Sequence, residues 1–358
     1  MRRWLKRIAI AVGLTLVVIV VAGASVYLTN RDIIVGEPLL ATPLASSLRV
    51  DFPPASGWSP QELDAARGVA DELGSTAVIA ISDGRLVAEW GDTARRISGH
   101  SVRKSLVSAL YGIAVDKGLI DVDRTLAELD LDDEPPLTEA ERQARLTDLL
   151  AARSGIYHDS VKADMEGKRP ARGEHAPGTH FFYNNWSFNA LGGMFEQLTD
   201  MSLGEAFKQW ISDPIGMQDF RVEDVRYQAG EESVYPAYRF WISARDLARF
   251  GELFLREGRW GDEQIISLGW IKRSTTPYSD VGDGWGYGYM WWTLPEGGYL
   301  ATGTGGQKLF VDPVRKLVVV NRVDTGEGLR RGLWFKYGNR VNNREFFGLI
   351  DRITAAAN

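Results

Sequence analysis

Hydrophobic alternation with a period of two occurs near both ends of the folded part of this chain, and helical spacing fills the middle. Thr76 to Ser82 and Arg85 to Trp90 read as short strands separated by Asp83-Gly84, a good hairpin signal. Gly286 to Trp292 returns to a period of two, and its glycines permit close approach of backbone or ligand. Gly306 to Val311 and Lys316 to Asn321 predict two more strands, joined near Asp312-Pro313. The pattern therefore predicts an α+β fold, in which distant segments share one sheet and carry a helical insertion.

Helix signals punctuate the remainder. Ser59-Pro60-Gln61-Glu62 supplies a cap, a first-turn proline and a reciprocating carboxylate, and Gly74 is the stop. Leu106, Leu110 and Ile113 recur at helical spacing until Gly118. Further helical segments are predicted at Leu149 to Ala152 and Ala190 to Leu198, after Ser202, after Ser243, and at Arg344 to Ile353. There is no internal repeat and no long low-complexity linker.

Arg2, Arg3, Lys6 and Arg7 precede an uncharged stretch from Ile8 to Leu28, long enough for a helix to cross a bilayer. The basic flank favours a cytoplasmic N-terminus. Ala22-Gly23-Ala24 resembles a signal-peptidase site, which makes secretion after cleavage the competing expectation. The sequence thus predicts a membrane anchor or uncleaved signal over 1–30, a tether over 31–58 and one catalytic-sized domain over 59–358. Within it, the sheet region is expected at about 59–98 and 285–358, and the helical region at about 99–284. The expected location is the cell membrane, single-pass through residues 8–28, with the domain on the extracytoplasmic side. A net charge of −6 without a basic run argues against a nucleic-acid partner. The absence of cysteine excludes disulfides, a thiolate nucleophile and thiolate metal sites.

Three segments carry candidate chemistry. In Ser101-Val102-Arg103-Lys104, an amine one helical turn beyond a serine can reach its hydroxyl and act as the base that a serine nucleophile needs. In Tyr183-Asn184-Asn185, a phenol can relay a proton and Asn185 can hold a carbonyl or the lysine. In Gly303-Thr304-Gly305-Gly306-Gln307, small residues let a strand edge approach an acyl group while a backbone N–H meets a developing oxyanion. Each segment alone has a structural explanation: a capped surface helix, a buried tyrosine before an asparagine cap, and a bend between strands.

In order and spacing together, these segments resemble the serine beta-lactamase-related superfamily, especially its class C beta-lactamase, D-aminopeptidase, esterase and 6-aminohexanoate-dimer hydrolase group. Leu149-Leu150 to Ser154-Gly155, Pro177-Gly178-Thr179, Ser243 to Phe250 and Gly286 to Trp292 add to the likeness, which runs from about Gly74 to the C-terminus. The resemblance implies a beta-lactamase/transpeptidase-like fold: an antiparallel sheet with flanking terminal helices, a mostly helical second region and a cleft between them. It implies a serine hydrolase, an esterase or amidase acting on a small molecule. Ser101 would form the acyl-enzyme, with Lys104 and Tyr183 moving the proton. The backbone N–H groups of Ser101 and Gln307 would form the oxyanion hole, and Asn185, Thr304, Gly305 and Gly306 would contact substrate. Trp292 is a further candidate for the cleft wall, because it lies opposite Tyr287, Tyr289 and Trp291 in the alternation; those three aromatics read more readily as core.

Thr304 departs from the resemblance, since lysine or histidine usually leads this third motif. A neutral hydroxyl there argues against recognition of a substrate carboxylate at that position and for a neutral ester or amide, unless an arginine elsewhere, such as Arg330 or Arg331, compensates. A Ser-His-Asp triad using His158, His175 or His180 stays open, as does a zinc site from the same histidines, although loops explain them equally well. No cofactor or metal is implied. The second function class is a non-hydrolytic, membrane-tethered envelope-binding or sensory domain on the same fold.

Overall fold

The computed structural model describes residues 52–161, 169–326 and 340–357. Two compact units are distinguished. Ala41–Asp324 with Arg340–Asn358 contains every element described below.

The element order is α1 (Pro60–Glu72), β1 (Ala77–Ser82), β2 (Arg85–Gly91), β3 (Ile97–Ser98), α2 (Arg103–Asp116), α3 (Leu146–Leu150), α4 (Asn185–Thr199), α5 (Leu203–Phe207), β4 (Val225–Gln228) and β5 (Ala237–Ile242). It continues through α6 (Ala244–Leu255), β6 (Arg259–Trp260), β7 (Glu263–Gln264), α7 (Leu268–Ser274), β8 (Ser279–Gly282), β9 (Trp285–Tyr287), β10 (Trp292–Thr293), β11 (Tyr299–Gly303), β12 (Gln307–Asp312), β13 (Leu317–Arg322) and α8 (Asn343–Ala355). The sequence-predicted caps are present. Ser59 accepts from Glu62 N–H at 3.4 Å, and Ser202 and Glu205 form a reciprocal capping box. Ser243 opens α6 by accepting from Asp246 N–H at 3.1 Å.

An antiparallel eight-stranded sheet runs in the order β2-β1-β13-β12-β11-β10-β9-β8. The early hairpin is thus joined to the late strands through β1–β13, with Ile79 opposite Val320 and Ile81 opposite Val318. These four side chains share a face with Leu309 and Val311. Helix α6 packs there so tightly that a Cβ on Gly251 would lie 2.6 Å from Val318. Phe310 and Phe347 of α8 meet on the opposite face, with ring centroids 5.6 Å apart. The fold is α+β, as the alternation predicts.

Two local expectations change. Gly286 to Trp292 is not one strand: β9 and β10 pair antiparallel, Tyr287 opposite Trp292, around a turn in which Met290 takes φ +62°. The Met290 N–H donates to Leu150 O at 3.0 Å, so a tertiary contact turns the chain where alternation predicted extension. The helical middle also holds a small sheet, β3-β5-β4, which positions the segment leading into Ser101. Residues 52–58, expected as lead-in, include a fully buried Phe52 and bridges from Pro54 to Leu86 and from Trp58 to Ala357.

The membrane expectation is corrected. Among the described residues no helix is long and apolar enough to cross a membrane. The stretch at 8–28 and the Ala22-Gly23-Ala24 site lie outside the described residues. Hydropathy read along one segment predicted a membrane partner, a single-pass topology and a signal; no spanning helix among the described residues supports them, and none is carried into the functional reading.

Candidate active site

Ser101 sits where an extended segment is forced abruptly into a helix. After β3, Gly99 N–H donates to Phe240 O at 2.7 Å, fastening this lead-in to β5. His100 then adopts φ +46°, a left-handed conformation that a residue with a Cβ occupies at a cost. Ser101 lies in a short 3₁₀ turn, His100–Val102, which runs into α2. One turn later, Lys104 Nζ donates to Ser101 Oγ at 2.9 Å. Lys104 is 2% exposed, and its Nζ lies 4.7 Å from the ring centroids of both Tyr183 and Phe188. Ser105 fixes the same turn by donating to Met290 O at 2.7 Å.

Tyr183 precedes α4 and is buried, with its phenol hydrogen-bonded to the Ser101 hydroxyl. Burial pushes its pKa up to about 12, against the opposing effects of that hydrogen bond and the nearby Arg103 charge. The phenol is therefore protonated at neutral pH. Asn184 is the helix cap: its side chain accepts from Trp186 N–H at 2.9 Å and donates to Ile156 O at 2.6 Å. Asn185 begins the helix. Trp292 stacks on Tyr183 with centroids 5.7 Å apart and planes 22° apart.

The glycine-rich bend joins β11 to β12. Gly305 and Gly306 have φ +90° and +105°, conformations that side chains rarely adopt. A Cβ on Gly303 would fall 2.6 Å from Gly99 O and 2.9 Å from Ser101 N, so β11 ends directly against the turn carrying Ser101. Asn321 Nδ2 supports the bend from beneath, donating to Gly306 O at 2.8 Å. Gln307 pairs with Gly303 across the two strands. Its side chain is buried, accepting from Arg322 Nε at 2.8 Å and donating to Val323 O at 2.6 Å. Arg322 also donates to Ile97 O at 2.7 Å, tying β13 to the strand that leads to Ser101.

A cavity of about 740 Å³ opens on this arrangement, and Ser101, Tyr183, Trp292, Thr304, Gly305 and Gly306 all line it. Lys104, Asn185 and Gln307 are not among its lining residues. Tyr287, Tyr289 and Trp291 are buried in the core. The sequence reading missed Trp285, Lys308 and Asn343, which also line the cavity. For Lys308 the sequence offers a lone lysine heading the apolar run Leu309-Phe310-Val311, which by itself reads as a surface residue.

His158, His175 and His180 lie elsewhere. His158 sits between Asp133, 3.4 Å away, and Glu141, 3.8 Å away, while His175 stacks on His180 with centroids 3.9 Å apart. None of these three lines the cavity, and among the described residues no group of three His, Asp or Glu side chains could hold a metal ion. Arg330 and Arg331 lie outside the described residues.

Comparison with solved structures finds the same fold in a candidate 6-aminohexanoate-dimer hydrolase from Bacillus anthracis. That match has a TM-score of 0.62 and 20% identity, and covers 85% of this chain and 86% of the other. A candidate beta-lactamase from Bacteroides dorei matches at TM-score 0.57 and 16% identity, over 79% of this chain and 100% of the other. An octameric penicillin-binding protein homologue from Pyrococcus abyssi matches at 0.53 and 18%, over 78% and 77%. No curated protein sequence matches significantly. The Beta-lactamase family pattern matches residues 63–328, which span the serine-lysine turn, the tyrosine and the glycine bend, and the chain belongs to that family of serine hydrolases.

Proposed function

We propose that this protein hydrolyses an ester or amide of a small molecule through an acyl-enzyme on Ser101, with Lys104 and Tyr183 handling the proton. The observation that carries the reading is the convergence of Lys104 Nζ, 2.9 Å away, and the Tyr183 phenol on one serine hydroxyl that faces a substrate-sized cavity.

In the first step Ser101 Oγ attacks the carbonyl carbon and its proton passes to the Lys104 amine. Because the phenol of Tyr183 is held protonated, the amine rather than a phenolate is the first acceptor in this reading. The tetrahedral oxyanion is met by the backbone N–H groups of Ser101 and Gln307. The close fit of Gly303, Gln307's strand partner, against Ser101 N supports this pairing. As the C–O or C–N bond breaks, Tyr183 delivers a proton to the departing alcohol or amine and is reprotonated from Lys104. Water then attacks the ester on Ser101, gives up its proton by the same route and releases the acid. The bend at Thr304, Gly305 and Gly306 orients the substrate, and Trp292 forms the apolar wall.

Intact-mass analysis after exposure to a fluorophosphonate probe tests the reading. One adduct is expected on the unmodified protein, none on Ser101→Ala, and slower labelling on Lys104→Ala. A folded protein that admits the probe to its cavity but stays unlabelled would overturn it.

A further inference from the structure

Lys308 lies on β12, opposite Thr302 of β11, and its side chain lines the same cavity as Ser101. The residue is only 4% exposed. Its ammonium donates to Thr302 Oγ1 at 2.6 Å and to Asn343 Oδ1 at 2.5 Å, both neutral acceptors. Among the described residues no carboxylate forms an ion pair with it. A buried cation is ordinarily paired, because a lone one bears its full desolvation cost. An ammonium has three donors, and two are occupied here.

The surroundings favour an anion reaching the third donor. Thr302, Thr304, Asn342 and Asn343 line this part of the cavity, with Arg340 as a second cation and Asp283 as a carboxylate. The N-terminus of α8 opens here too, but its own Glu345 already occupies it, accepting from Asn342 N–H at 2.8 Å. The ammonium is therefore the distinguishing feature. Burial lowers the Lys308 pKa to about 8, which leaves it mostly charged at neutral pH.

We infer that Lys308 is a specificity-determining residue, supplying in the cleft the cation that Thr304 lacks, and that the substrate carries a carboxylate which docks on it. The consequence reverses the sequence-based expectation of a neutral substrate: the preferred ester or amide is anionic. The identity of the reaction rests on the hydrolase reading, whereas carboxylate binding does not.

The test separates the two by measuring binding in a Ser101→Ala protein, which cannot acylate. Saturation-transfer NMR compares 3-phenylpropanoate with 3-phenylpropanamide at pH 7. The carboxylate is expected to bind about tenfold or more tightly, as a charge-assisted hydrogen bond would give. That preference is expected to vanish in Lys308→Met and in Lys308→Gln, the second of which keeps a polar group toward Thr302 and Asn343. Thermal melts confirm that each variant is folded. Equal binding of acid and amide by the parent, or an unchanged preference in a folded Lys308 variant, would overturn the inference whatever the fluorophosphonate experiment shows.

Discussion

Burial acts on Tyr183 and Lys308 in the same way, disfavouring the charged form, with opposite chemical results. For Tyr183 it keeps the proton on, so the residue suits delivery to a leaving group. Tyr183→Phe keeps the ring against Trp292 and removes only the hydroxyl; kcat/KM on an ester is expected to fall about 10²- to 10⁴-fold. Steady-state kinetics checks this, and an unchanged rate would remove Tyr183 from the proton path. For Lys308 the folded pKa near 8 lies below the ordinary lysine value, so the native state binds its proton more weakly than the unfolded chain. The cost is fully present below about pH 8 and fades as pH rises toward about 10.4. Lys308→Met is therefore expected to stabilise the protein at pH 7, by about 1–3 kcal/mol, and to lose that advantage by about pH 10. Denaturant melts at the two pH values read it directly. Ser101, Lys104 and Tyr183 stood out in the sequence because they lie in short motifs. Lys308 did not, because a lysine in a strand reads as surface until its partners Thr302 and Asn343 are known.

The ends of elements carry the site's precision. Gly303 closes β11 against Gly99 O and Ser101 N, so Gly303→Ala drives a methyl into the backbone of the Gly99–Ser101 turn. A loss of about 10² in kcat/KM is expected, the scale of a misplacement of about 1 Å at a reacting group. Gly68 in α1 provides the control: a Cβ there meets nothing within 4 Å, and Gly68→Ala should raise stability slightly, by about 0.5–1 kcal/mol, without changing the rate. Kinetics and melts on the pair distinguish close approach from a general intolerance of alanine. The helix caps at Ser59, Ser202 and Ser243 were legible because a cap is a contract among four consecutive residues. The turn between β9 and β10 was not. Its alternation is genuine, but the bond from Met290 to Leu150 and the Ser105 hydroxyl on Met290 O outweigh it.

Across the whole molecule, β13 is the strand that makes one sheet from two ends of the chain. It lies between β1 and β12, with α6 packed on one of its faces. A chain ending at Asp312 would expose both neighbours as unpaired edges and open the Ile79, Ile81, Leu309 and Val311 face to water. Such a chain is expected to show no cooperative thermal transition by circular dichroism; a sharp melt would show that β13 is dispensable. The alternation at both ends predicted that a shared sheet exists, yet not that β1 pairs with β13 or that β11 lies beside the Ser101 turn. The sequence by itself determined what neighbouring residues decide: strand and helix periods, caps, the reach of Lys104 to Ser101 across one turn, and the family motifs. Only the tertiary structure decided which distant segments meet, placing Tyr183 on the Ser101 hydroxyl, Gly303 against its amide and Lys308 in the same cavity. Such contacts form between elements whose separation along the chain carries no local signal, and burial acts on the protonation of Tyr183 and Lys308 only after those elements have packed.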